Sequence, residues 1–187
     1  MRFHQGNPAF LACFIALVLA LTAFGFTHQS SVQLVNLTEA ELKDVVIEFD
    51  RSGCYGNCPD YKITLYGDGR TEYEGRKDVK QIGRKKGHLN PGDVRNLVAE
   101  FDKANFLAVD QFTEKDCSCT LCTDMPTATT EIRAKGVSHR VEHYFGCRCA
   151  PKALWDLEAA IDRIAHTEQW TGDVSKQGPV ATTCFSR

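Results

Sequence analysis

The sequence has no surplus of charge of either sign: 22 Lys and Arg stand against 24 Asp and Glu in 187 residues, a formal net charge of −2. That balance removes the composition argument for nucleic acid, which needs a basic face. There is no internal repeat. Also missing are a nucleophile elbow, a glycine-rich phosphate loop, a zinc-protease helix and a carboxylate pair in a recognisable catalytic context. These absences lean against an enzyme without deciding the matter, because active sites are assembled in space. With 43% hydrophobic and 25% charged residues, the length predicts one ordinary globular domain.

Cysteine is not scarce: there are nine. An uncharged apolar run from Ala9 to Phe26 follows Arg2 and His4, the order of a secretory signal, and Ala23-Phe24-Gly25 offers small residues for cleavage. The run also reaches the lower limit for a membrane span, so residues 1–26 read as a signal peptide or an N-terminal membrane anchor. Cys13 lies inside this run as a small apolar residue. The other eight, Cys54, Cys58, Cys117, Cys119, Cys122, Cys147, Cys149 and Cys184, form an even set in an exported chain, which reads as a disulfide framework. Count alone assigns no pairing, since eight cysteines allow on the order of a hundred connectivities. The implied location is the periplasm or the outer face of the inner membrane.

Periodicity organises the rest. Residues 27–37 are polar and aperiodic, a tether; 38–170 read as a single domain; 171–187 are rich in Gly, Ser, Thr and Pro, a flexible tail unless Cys184 ties it down. Thr38-x-x-Glu41 is a capping box, and Val45, Ile47 and Phe49 alternate as a half-buried strand. Tyr61, Ile63 and Leu65 match Thr71 and Tyr73 across a Gly67-Asp68-Gly69 loop, with Ile63 facing Tyr73, Lys62 facing Glu74, and Gly69 left-handed. Val79 to Gly83 suggests a further strand. Asn90-Pro91 opens a helix carrying Val94, Leu97, Val98 and Phe101, and a second helix from Pro151 to Ala165 carries Leu154, Leu157, Ile161 and Ile164, with Trp170 at its end. Between them Ala128 to Ala134 and Val137 to Phe145 form a hairpin. The expected fold is α+β: an antiparallel sheet of about five strands with two main helices packed on one face, disulfide-stapled.

Arg51-x-x-Cys54-x-Gly56-x-Cys58-Pro59-x-Tyr61, then Asp68-Gly69, then Asp124-x-Pro126 carry a resemblance. Together they resemble the bacterial family called domain of unknown function 6438, over about Val45 to Trp170. The resemblance implies a small α+β domain, often in exported proteins, and brings no activity. Cys117, Cys119, Cys147, Cys149 and Cys184 lie outside that pattern.

The chemistry-bearing groups each admit a bland reading. Cys54-x-x-x-Cys58 is a structural disulfide, a metal half-site or a redox pair; the three-residue spacer and the strand that follows favour the first. Cys117, Cys119 and Cys122 with Cys147 and Cys149 supply enough sulfur for zinc, the alternative cofactor, but export favours disulfides because zinc needs thiolates. In the hairpin, charge pairing sets Glu131 against Arg140 and Thr129 against Glu142. Extended outward, that register puts Cys122 across from Cys149, or from Cys147 if Pro126 ends the ladder, leaving Cys117 or Cys119 for Cys184. His139 and His143 share the apolar strand face, as edge histidines satisfied by hydrogen bonds or as metal ligands. Lys77, Lys80, Arg84, Lys85, Lys86 and His88 form a basic stretch, read as a solvated loop rather than a surface for anionic lipid or polymer. The expectation is a non-catalytic envelope domain binding an unidentified envelope protein or surface component, touching membrane only through its N-terminal segment. A metal-binding or thiol-redox protein is the alternative.

Overall fold

Alternating burial builds one six-stranded antiparallel sheet from β1 (Val46–Arg51), β2 (Asp60–Tyr66), β3 (Arg70–Lys77), β4 (Gly83–His88), β6 (Thr127–Ala134) and β7 (Val137–Tyr144), in the order β4-β3-β2-β1-β6-β7. The computed structural model describes residues 33–34, 36–172 and 183–185, all within the unit Gln33–Arg187. The proposed signal or anchor 1–26, most of the tether and most of the tail lie outside the described residues. Among the described residues no helix is long and apolar enough to cross a membrane.

Helix α1 (Glu39–Lys43) is held by the expected capping box, in which Thr38 accepts from the Glu41 N–H and Glu41 accepts from the Thr38 N–H. The two main helices are α2 (Pro91–Lys103) and α3 (Lys152–Ile164); α2 buries the four residues of its expected stripe, α3 buries Leu154, Leu157 and Ile161 from its own, and both helices share one core with Ile47, Phe49, Ile63, Leu65 and Ile132 of the sheet. The strand residues facing that layer are mainly apolar and align across the ladders: Ile47 lies between Leu65 and Ile132, and Phe49 between Ile63 and the buried Thr130. The opposite face carries matched charge, with Glu48 reaching both Lys62 and Arg133, and Arg76 reaching Asp50 and Asp60. A short helix α4 (Glu168–Thr171) stacks Trp170 on Tyr73, 5.0 Å between ring centres.

The first hairpin has the expected register, Ile63 to Tyr73 and Lys62 to Glu74, and Gly69 takes φ +91°, the left-handed region its turn needs. Asp68 closes that turn by accepting from the Arg70 N–H at 3.0 Å. The basic stretch differs from expectation. Its strand starts at Gly83 rather than at Val79, because Lys80 and Gln81 give their N–H groups to Thr171 and Trp170 at the end of α4. Lys86 then faces Glu72 and Arg84 faces Glu74, so much of the basic charge is matched across strands rather than carried in a loop.

Candidate functional site

Arg51 ends β1 and Tyr61 is the second residue of β2, and the two face each other across the ladder. Both point at helix α3. The Tyr61 hydroxyl donates to Asp162 Oδ1, Arg51 Nη1 lies 3.5 Å from Asp162 Oδ2, and Thr167 Oγ1 donates to Asp162 Oδ1 at 2.8 Å. One turn back on the same helix, Glu158 receives His143 Nδ1 at 2.9 and 3.0 Å from its two oxygens. These groups line or underlie a cleft of about 520 Å³ whose wall includes Arg51, Phe145, Trp155, Glu158, Asp162 and Thr167. Phe145 and Trp155 stand 4.6 Å apart between ring centres, and the Arg51 guanidinium sits 4.9 Å from the Phe145 ring centre.

Burial sets the electrostatics. It raises the Glu158 carboxyl above its ordinary value against the opposing pull of His143. Burial likewise raises Asp162 against the bonds from Tyr61 and Arg51, although the Asp162 side chain is 26% exposed where it meets the cleft. The Tyr61 hydroxyl is pushed well above the usual tyrosine range by burial and by Asp162 beside it, so it stays a donor. Four buried side-chain atoms stay unpaired among the described residues, and two of them, Arg51 Nε and His143 Nε2, belong to this group. His139 behaves as an edge histidine, with Nε2 3.0 Å from the Val109 carbonyl, but His143 is satisfied at Nδ1 alone. The edge position of β7 does not expose His143, because Phe112, Phe145 and Trp155 enclose its ring.

Of these groups only Arg51, Tyr61 and His143 stood out in the sequence, the first two as motif residues without a role and His143 as an edge histidine or a metal ligand. Glu158 and Asp162 were missed as a pair. A signal was present: Glu158 lies four residues after Leu154, on the apolar stripe, and Asp162 four after Glu158.

The eight cysteines among the described residues are all paired: Cys54–Cys58, Cys117–Cys147, Cys119–Cys149 and Cys122–Cys184. The first fixes the loop ahead of β2, as expected, and is followed by a strand rather than by the helix N-terminus of a redox site. The pairing of Cys122 with Cys149 or Cys147 is incorrect. The hairpin register itself is the expected one, with Glu131 facing Arg140 and Thr129 facing Glu142. It ends at Pro126, whose carbonyl takes the Phe145 N–H. Thr123, Asp124 and Met125 then loop out, Asp124 with φ 64°, and pairing resumes with Leu121 opposite Cys147 and the Cys122 N–H on the Gly146 carbonyl. The Tyr144 hydroxyl fills the loop, donating to the Cys122 carbonyl at 2.9 Å and accepting from the Met125 N–H at 3.3 Å. The shift lets Cys119 meet Cys149. It turns Cys122 toward the tail, where β5 (Leu121–Cys122) pairs with β8 (Cys184–Phe185). Cys117, Cys119, Cys147 and Cys149 end as one cluster, all four sulfurs within 4.8 Å of one another.

The family described as Domain of unknown function (DUF6438) matches residues 45–165, well over half of the sequence. The chain belongs to this family. No curated protein matches it. The matched span contains β1 to β7 and α3, hence the four-cysteine cluster and the cleft apart from its Thr167 side, and leaves Cys184 outside. Within it the residues of the resemblance divide by task. Cys54, Cys58 and Asp68 shape loops, Asp124 and Pro126 frame the bulge, and Arg51 and Tyr61 converge on the cleft.

Proposed function

We propose that the chain is an exported, disulfide-stapled, non-catalytic binding domain that takes a surface component of the envelope into the cleft beside Arg51. The observation that carries this reading is the meeting there of the partly exposed Trp155, packed on the buried Phe145, with Arg51 and Asp162. An aromatic face accepts the apolar face of a ring, while carboxyl oxygens and a guanidinium bond hydroxyl groups around its edge. That combination suits a sugar ring. Four disulfides support an oxidising compartment, and the N-terminal apolar run supports export.

Titration with soluble oligosaccharides of hexose and N-acetylhexosamine, followed by tryptophan emission, tests the assignment. Trp155 lies on the cleft wall, so a saturable change is expected. Arg51→Met should abolish it while the chain keeps its cooperative unfolding transition. No saturable change with any of these sugars, or undiminished binding by Arg51→Met, overturns the reading.

A further inference from the structure

The four clustered sulfurs stand apart from the cleft reading and do not depend on it. In the oxidised chain their backbone is aligned by hydrogen bonds as well as by sulfur. The Arg148 N–H donates to the Thr120 carbonyl at 3.1 Å and the Cys122 N–H to Gly146 at 2.8 Å, pairing the two segments. The Cys117 N–H donates to Thr113 at 3.0 Å and the Cys147 N–H to Tyr144 at 2.8 Å, fixing the approach to each segment. Paired Cα atoms lie 5.5 Å apart for Cys117 and Cys147, and 5.9 Å for Cys119 and Cys149.

The unbonded neighbours carry the argument. Cys117 Sγ is 3.8 Å from Cys119 Sγ, and Cys147 Sγ is 3.7 Å from Cys149 Sγ. Four thiolates about 2.3 Å from a tetrahedral zinc ion stand about 3.8 Å from one another. Two edges of that tetrahedron therefore already have their length. Rotation of side chains freed from their bonds sets the others, since no pair of the four sulfurs is more than 4.8 Å apart. Cys117 and Cys147 are buried, and Cys149 is exposed, which leaves the ion a path in.

We propose that the reduced form of this cluster is a tetrathiolate site for one zinc ion, so that the chain exchanges two disulfides for a bound metal when a dithiol reductant is present. Each disulfide accepts two electrons and two protons from one dithiol, which closes to its own cyclic disulfide, leaving four cysteine thiols. Zinc then displaces the four thiol protons and binds four thiolates, giving the centre a net charge of −2. Arg148, between two of the ligands, and Lys115, two residues before Cys117, bring positive charge to the same segments.

Alkylation mapping of the full unmodified chain tests this. The protein is reduced with a dithiol without oxygen, freed of reductant, given zinc or none, and exposed to a thiol reagent before peptide mapping. One zinc per chain is expected, with Cys117, Cys119, Cys147 and Cys149 protected and Cys54, Cys58, Cys122 and Cys184 modified. The oxidised protein should bind none. Cobalt in place of zinc should show the charge-transfer and ligand-field absorption of a tetrahedral thiolate site, bleached on adding zinc. Protection of a different set of cysteines overturns the proposal. So does absence of zinc binding by the reduced chain, whether the chain stays folded or not.

Discussion

The Glu158 carboxyl is buried against His143, with Arg51 and Asp162 nearby, and burial raises its pKa from the ordinary 4.5. The sign of the consequence is fixed by linkage. Between 4.5 and the raised folded value, the folded chain holds a proton that the unfolded chain has lost. The Glu158 contribution therefore weakens stability as pH rises through that window, and is level above it. Glu158→Gln keeps an oxygen to accept from His143 Nδ1–H and has no proton to lose. Its stability relative to the unmodified chain should rise with pH from about 4.5 upward and then plateau. Urea midpoints for both chains over a pH series measure this. The raised carboxyl of Asp162 is common to both and largely cancels, and a pH-independent difference would contradict the raised Glu158 carboxyl.

Among the elements, the two hairpins show what a pattern of residues can and cannot specify. In β2–β3 and β6–β7 a one-residue slip would move every apolar side chain to the solvent face, so alternation and charge pairing fix the register. Helices α2 and α3 are legible for the same reason, each with one apolar stripe. The step from β6 to β5 is not legible, because three looped residues are stabilised by a tertiary bond from the Tyr144 hydroxyl and by close backbone approach at Gly146. No periodicity reports either. The meeting itself was hidden likewise: Tyr61 and Asp162 stand 101 residues apart, and the Arg51–Tyr61 motif reaches the Glu158–Asp162 pair only when α3 crosses β1 and β2. Gly146 gives the test of the bulge. A Cβ there would stand 2.0 Å from the Cys122 carbonyl oxygen and 2.3 Å from the Tyr144 ring. Gly146→Ala must open the Leu121–Cys147 pairing and should cost about 1–3 kcal/mol, as overpacking does. Gly92, in the first turn of α2, has open space where its Cβ would go. Gly92→Ala should be neutral or stabilise by up to about 1 kcal/mol. Denaturant midpoints of the pair separate steric crowding from any general intolerance of alanine. The Cys54–Cys58 bridge closes a loop four residues apart, for which chain entropy gives about 2 kcal/mol. Replacing both by serine should leave the fold cooperative, lower its stability by no more than that, and increase amide exchange between Ser52 and Pro59.

For the molecule as a whole, the staples and the main core are separate. Cys117, Cys147, Leu121 and Tyr144 make a small cluster of their own, while the core of the six-stranded sheet and its two long helices contains no cysteine. Of the bridges, Cys117–Cys147, Cys119–Cys149 and Cys122–Cys184 all lie at the end where β6 has given way to the bulge, and Cys54–Cys58 closes only its own loop. A disulfide restricts the unfolded chain wherever it lies, so full reduction must lower the overall stability. It removes no contact from the layer of Ile47, Phe49, Ile63, Leu97, Phe101 and Leu154, which is where burial of apolar area is concentrated. The reduced, metal-free chain should therefore stay folded in its sheet and helices and open locally at the cysteine-rich end. Amide exchange after reduction without oxygen reads both parts together. Protection should persist in β1, β2, β3 and β6 and fall for Cys117, Cys122 and Cys147, whose N–H groups bond within the stapled segments. Loss of protection in the central strands at the same rate would mean that the staples and the core form one cooperative unit.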